Sequence, residues 1–316
     1  MPKFPPLAGP SKKVSDWLAA FNRICITSEF DAPAKLYCIA STLVIGDAKE
    51  SLIEIGSLLG SYKADSIWSN NRSSVRDEVL RNIQTRTSEK LDLPSYSQVV
   101  KLINEVSSNE DYVLTAAGGL PGELNNNWLT KSKDSFDCEY GYSCMGYEIA
   151  GAWGAALAYE SSGRAGKVIS LVGDGSYLML NSEILSAVNN GNSIIYILCD
   201  NKGFAVIQRL QTSNGSKSFR TMFNDYDLDK PANVDFVAHA KSMGANAKKV
   251  TLETLKEEFT SAKNYAGVSV LVIDTHPSKW TEGGAFWEVG VSGSSTEPEI
   301  QNAHARQVEG KAKRRL

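Results

Sequence analysis

Apolar positions along the chain alternate between short unbroken runs and stretches with helical spacing. The sharpest alternation lies in residues 168–204. Residues 168–172 form a largely β-branched run that breaks at Gly173-Asp174-Gly175, and a helical pattern follows over 177–190. A second apolar run, 194–199, breaks at Asp200-Asn201-Lys202-Gly203. Short apolar runs closed by glycine, with a helix between them, predict a β-α-β unit with parallel strands.

The same alternation extends on both sides. Upstream, 96–106 predicts an amphipathic helix, 112–115 a strand, 116–122 (AAGGLPG) a glycine-rich loop, 136–139 a short strand and 147–159 a helix of small residues. Downstream come a helix at 204–209, a polar loop at 211–232 whose 214–218 section is a candidate lid, a helix at 235–243, a strand at 247–250, a helix at 252–265 and a strand at 268–274. This order predicts an α/β fold, a parallel sheet with helices on both faces. Before residue 93 the texture differs. A Pro-rich lead-in (1–12) precedes a short helix at 15–21, strands at 23–27 and 43–45, a helix capped by Asp47 and running to 59, and a polar charged stretch at 66–90. These pieces do not close a sheet of their own, and read as the remnant of a central domain with its linker, 1–92. Residues 93–290 read as the main domain and 291–316 as a charged helical tail.

Composition narrows the class. The chain has 316 residues, 42% hydrophobic and 22% charged, with net charge −3. It has ordinary globular character, with no electrostatic pull toward nucleic acid or an anionic membrane. No apolar run is long enough to span a membrane and the N-terminus lacks a signal-peptide core, so a cytoplasmic protein is expected. The five cysteines show no CxxC spacing and the three histidines are isolated, which argues against disulfide, zinc or triad chemistry.

Candidate chemistry therefore falls on the glycine breaks. Open α/β sheets bind ligands at the carboxyl ends of their strands, where both breaks lie. Twenty-seven positions separate Asp174 from Asn201, yet the predicted unit brings them to one edge. A carboxylate, an amide oxygen and a free backbone carbonyl form part of a hard-oxygen shell of the kind Mg²⁺ takes, completed by phosphate and water. Gly175 and Ser176 precede the helix, so their N–H groups would face an anion. An Asp-Gly turn alone is common; the second break is what turns the reading toward Mg²⁺ holding a diphosphate. The loop at 116–122 becomes a candidate second wall. Asn125, Asn126 and Asn127 could meet a polar substrate or simply be loop.

Residues 173–203 resemble the thiamine-diphosphate motif, GDG followed by an asparagine pair about thirty residues on. The resemblance implies that Asp174, the Asn201 side chain and the Gly203 carbonyl bind Mg²⁺. Asp200 departs from the pattern, standing where the first asparagine usually sits. Longer runs, LPGEL, CEYGYSCMGYEIAGA, VGDGSYLMLNSE, DNKGF and WEVGV, resemble one subgroup, the trihydroxycyclohexane-dione hydrolases of inositol catabolism. That resemblance covers most of the chain from Phe30 onward. It implies the thiamine-diphosphate-binding fold and a hydrolase that cleaves a C–C bond of the cyclic dione to give 5-deoxyglucuronate. It further implies that Gly118, Gly119 and Leu120 line the aminopyrimidine side. Cys144, Met145 and Gly146 would contact that ring or its amino group, with Met145 propping the bent cofactor. Gly175 and Ser176 would hold the diphosphate.

Family members are about twice this long. Their N-terminal half carries a pyrimidine-binding domain with the glutamate that activates the cofactor, so the chain is expected to be incomplete without it. Glu123, Glu139 and Glu148 do not replace that glutamate on motif grounds. The partners expected are a homo-oligomer, or another chain supplying that domain, with apolar surface exposed. Lys202 and the His276–Lys279 run are further departures. Two other readings stay open: another thiamine-dependent enzyme (a 2-oxoacid decarboxylase or an acetolactate synthase-like enzyme), and a non-catalytic cofactor-binding or assembly subunit.

Overall fold

The computed structural model describes residues 24–27, 42–226, 233–281 and 290–313. The predicted helix at 15–21 lies outside them. The chain divides into two units, the first made of residues up to Ser74 together with those from Lys313 on, and the second spanning Val75–Ala312.

In the first unit β1 (Ile24–Thr27) pairs in parallel with β2 (Thr42–Ile45). Helix α1 (Ala48–Leu59) follows, capped by Asp47, whose carboxylate accepts from the N–H groups of Lys49 and Glu50 at 2.9 and 3.0 Å. A side-chain acceptor there satisfies donors that a helix start leaves free. Helix α2 (Ser66–Thr87) begins in this unit and ends in the second.

The second unit is built on a six-stranded sheet, all parallel, in the order β4-β3-β5-β6-β8-β7. The strands are β3 (Tyr112–Thr115), β4 (Phe136–Cys138), β5 (Val168–Gly173), β6 (Ile194–Asp200), β7 (Asn246–Val250) and β8 (Val268–Asp274). Strand β6 shows why the sequence folds this way. Ile194, Tyr196 and Leu198 enter the core on one face, while Ile195, Ile197 and Cys199 enter the core on the other. A strand covered on both sides must be apolar at every position, which is how it reads.

One face is covered by α3 (Tyr96–Val106), α4 (Leu120–Asn127) and α10 (Leu252–Asn264). The other face is covered by α5 (Tyr147–Ser161), α6 (Asp174–Leu180), α7 (Glu183–Asn189) and α9 (Phe236–Ser242). Helices α8 (Ala205–Ser213) and α11 (Pro298–Ala312) complete the set among the described residues.

Two expectations change. The helix expected over 177–190 is two helices, broken at Asn181 and Ser182. Asn and Ser side chains can bond nearby backbone groups, which favours helix ends over interiors, and Asn181 Nδ2 donates to the Leu178 carbonyl at 3.5 Å. Its start also lies earlier, at Asp174, so Gly175 and Ser176 sit inside the first turn rather than before it. Their N–H groups still lack partners four residues back. The stretch 125–127 is helical, and Asn127 is buried against Glu123, Thr281 and Arg86 rather than facing a substrate.

Candidate cofactor site

Strands β3, β5 and β6 are neighbours, so the loops after them emerge side by side at one sheet edge. They line a pocket of ≈ 350 Å³, within the range of small-molecule sites. The wall after β3 is Ala117, Gly118, Gly119 and Leu120, and the floor after β5 is Asp174, Gly175 and Ser176. Asn201 and Gly203 close it after β6, and Tyr140, Ser143 and Met145 reach in from the turn before α5. Cys144 is exposed and outside the lining, and Gly146 is buried behind it as the N-cap of α5.

The deepest corner is made of oxygen. Asp174 is buried, and its Oδ2 accepts from the Gly203 N–H at 2.7 Å. With the Asn201 amide oxygen turned inward, that oxygen lies 2.8 Å from the Gly203 carbonyl and 3.2 Å from Asp174 Oδ1. Its Nδ2 then donates to the Tyr96 hydroxyl at 2.6 Å. In this orientation the amide oxygen faces only acceptors, a repulsive contact unless a cation or a carboxyl proton on Asp174 lies between them. With the amide reversed, Nδ2 donates to both oxygens and Oδ1 accepts from Tyr96. The Tyr96 hydroxyl serves either orientation because it can both donate and accept.

The donor set fits Mg²⁺. Neighbouring oxygens on an octahedral shell of roughly 2.0–2.1 Å radius stand about 2.9 Å apart, close to the spacing seen here. One carboxylate with an amide and a carbonyl is a hard-oxygen set, and no cluster of three His, Cys, Asp or Glu side chains suited to a metal occurs among the described residues. Burial, reinforced by the negative charge of Asp200, pushes Asp174 up to about 7. A bound divalent ion would reverse that by favouring the carboxylate.

Glycine's freedom shapes the corner. Gly203 has φ 145°, and a Cβ there would stand 2.5 Å from the Thr221 carbonyl oxygen. The Asp200 departure is compensated: its carboxylate pairs with the Lys202 ammonium, which also lies 3.4 Å from Asp274. Burial alone would lower Lys202, but Asp200 and Asp274 raise it instead. His276, the other departure, is tied by its N–H to the Pro94 carbonyl at 2.8 Å.

Several lining residues left no sequence signal: Tyr96, Phe204, Ile207, Leu210 and Trp280. Tyr96 opens α3, whose capping box of Ser95 and Gln98 is visible in sequence, but its aim at Asn201 is tertiary. Trp280 follows β8, and a count of strand ends would have placed it at the same edge. Its ring packs on Gly119, where a Cβ would meet Cζ3 at 2.2 Å. Glu123, buried on α4, fastens the adjoining Thr281 through its N–H at 2.7 Å and its hydroxyl at 2.6 Å. Burial raises the Glu123 carboxyl above its usual range.

Residues 116–273 match the family described as thiamine pyrophosphate enzyme, C-terminal TPP binding domain. A protein of Geobacillus thermodenitrificans named 3D-(3,5/4)-trihydroxycyclohexane-1,2-dione hydrolase is 33% identical, over 89% of this chain and 48% of its own length. One of the same name from Clostridium tetani is 37% identical, over 69% of this chain and 35% of its length. The chain thus spans about half the length, or less, of the curated relatives it matches. Among solved structures, benzoylformate decarboxylase from Polynucleobacter necessarius superposes with a TM-score of 0.63 at 21% identity, covering 81% of this chain and 45% of that one.

Proposed function

The chain belongs to the thiamine pyrophosphate enzymes, and on that premise we propose that it anchors thiamine diphosphate through Mg²⁺ in a hydrolase that opens the trihydroxycyclohexane-1,2-dione ring to 5-deoxyglucuronate in inositol catabolism. The observation that carries the reading is the oxygen corner of Asp174, Asn201 and Gly203 within a pocket walled by the 116–122 loop. The names of the relatives supply the substrate class.

In this reading the Asp174 carboxylate, the Asn201 amide oxygen and the Gly203 carbonyl hold Mg²⁺. The backbone N–H groups of Gly175 and Ser176 meet the diphosphate. Gly118, Gly119 and Leu120 lie along the aminopyrimidine side, and Met145 supports the bend, with Cys144 and Gly146 in the turn beside it. Phe204, Ile207, Leu210 and Trp280 keep water from the reacting end. When bound, thiamine diphosphate supplies a nucleophilic carbon and an electron sink for cleaving the bond between two carbonyl carbons. The carboxylate that activates the aminopyrimidine belongs, in this reading, to a pyrimidine-binding domain. Cytoplasmic residence fits the substrate; no described helix is long and apolar enough to cross a membrane.

Calorimetry of the purified chain with thiamine diphosphate tests the reading. Binding that requires Mg²⁺ and vanishes in Asp174→Ala is expected, and binding indifferent to both would overturn it. Supplied with a pyrimidine-binding domain, the chain should turn over the cyclic dione rather than pyruvate.

A further inference from the structure

One buried carboxylate holds three of the pocket's loops. Glu148 lies in the first turn of α5 and is fully buried. Its Oε1 accepts from the Ala117 N–H at 2.9 Å. Its Oε2 accepts from the Ser176 hydroxyl at 2.7 Å and from the Gly146 N–H at 3.1 Å. The Gly146 N–H is shared with Ser176 Oγ at 2.8 Å. Ala117 belongs to the wall after β3, Gly146 ends the turn that carries Met145, and Ser176 stands in the first turn of α6, directly after β5.

All three donors are uncharged, and burying a carboxylate among neutral partners is unfavourable compared with burying an apolar side chain. Along α5 the other buried positions are Ile149, Ala152, Ala156 and Tyr159, so packing alone does not call for an acid there. The chemistry of the side chain does. A carboxylate has two acceptor oxygens and no donor, so it can take donors from three segments at once. Glutamine would set an NH₂ against at least one of those donors. The bonds also constrain Ser176: its single hydroxyl hydrogen goes to Glu148, which leaves the backbone N–H as the Ser176 group free to donate to an anion.

We propose that Glu148 is a positioning residue that sets the spacing of these three loops for the cofactor, acting through Ala117, Gly146 and Ser176 without touching the cofactor itself. This rests on the thiamine-diphosphate reading of the pocket.

The test uses the full chain as wild type, Glu148→Ala, Glu148→Gln and, as a stability-matched control, Phe259→Leu in the core beneath α10. Hydrogen exchange of the chain alone is followed by mass spectrometry, and thiamine diphosphate binding with Mg²⁺ by calorimetry. Glu148→Ala is expected to speed exchange in 116–122, 140–146 and 173–180 together, and to raise Kd roughly 10–100-fold, as loss of a supporting hydrogen-bond partner does at metal sites. Glu148→Gln should recover part of both effects, and Phe259→Leu should lower Tm while leaving Kd unchanged. Exchange that rises only within α5, or a Kd that Phe259→Leu raises as much as Glu148→Ala, would overturn the proposal. A wild-type chain that binds no thiamine diphosphate would sink the cofactor reading instead, while loop exchange in Glu148→Ala still decides whether this carboxylate couples the loops.

Discussion

Burial raises the proton affinity of three carboxyl groups around one pocket, Asp174, Glu123 and Glu148. Asp174 stands at about 7 against an ordinary 3.8. The folded chain thus holds this proton more tightly than the unfolded chain, so the group's contribution to stability falls as pH rises through that window. A cation must displace the proton, so cation affinity should rise with pH and level off above about 7. Mn²⁺ binding followed by water-proton relaxation checks this; each pH unit below about 7 should weaken it by up to about tenfold. A flat profile would remove Asp174 as the ligand. Tyr96 gives a second prediction at this scale. Tyr96→Phe deletes the partner that Asn201 uses in either orientation, so Mg²⁺-dependent cofactor binding should weaken about tenfold. Urea unfolding should show a loss of only about 1 kcal/mol. Asp174, Asn201 and Gly203 are legible as candidates because glycine breaks a run next to them. Tyr96 and Glu148 are not, because a tyrosine at a helix start and a glutamate in a first turn are ordinary there.

Strand β6 and the turn after it do two separable jobs. The strand is core: Ile197 is fully buried between two helix layers, so Ile197→Ala should cost about 2–5 kcal/mol in chemical unfolding. Binding per folded molecule should be unchanged. The turn is site: Gly203→Ala forces a Cβ toward the Thr221 carbonyl at φ 145°. Strain of about 1–3 kcal/mol is expected, together with loss of Mg²⁺-dependent binding beyond what that destabilisation explains. Calorimetry on the folded fraction separates the two. The strands and their order in sequence are readable because buried parallel strands are apolar throughout. The break at Asn181 and Ser182 is not, because the apolar spacing continues across it while the backbone does not.

At the scale of the molecule, an apolar rim borders the pocket. Tyr142 is 92% exposed and Met179 55% exposed, with Tyr140, Met145 and Leu180 also exposed. An exposed patch of this kind marks a protein interface more often than bare surface. In the proposed function it is where a pyrimidine-binding domain or a second copy docks. Sedimentation velocity should therefore show association of the chain, with itself or with such a domain. Tyr142→Lys with Met179→Lys should weaken that association while leaving Tm nearly unchanged. A monodisperse monomer that also ignores an added pyrimidine-binding domain would remove this surface from the reading.

The alternation of apolar runs and helical stretches, by itself, determined a parallel α/β sheet and the edge at which chemistry would sit. This is because burial on both faces dictates residue type position by position. Glycine marked the turns, at Gly118 and Gly203 because φ is positive and at Gly175 because a Cβ would meet the Phe204 ring at 2.6 Å. Only the tertiary structure decided what surrounds those turns. The phenol behind Asn201, the indole over Gly119 and the carboxylate joining Ala117 to Ser176 are all fixed by packing between segments far apart in the chain. Such contacts leave no period or spacing in the sequence, because each partner looks ordinary on its own element.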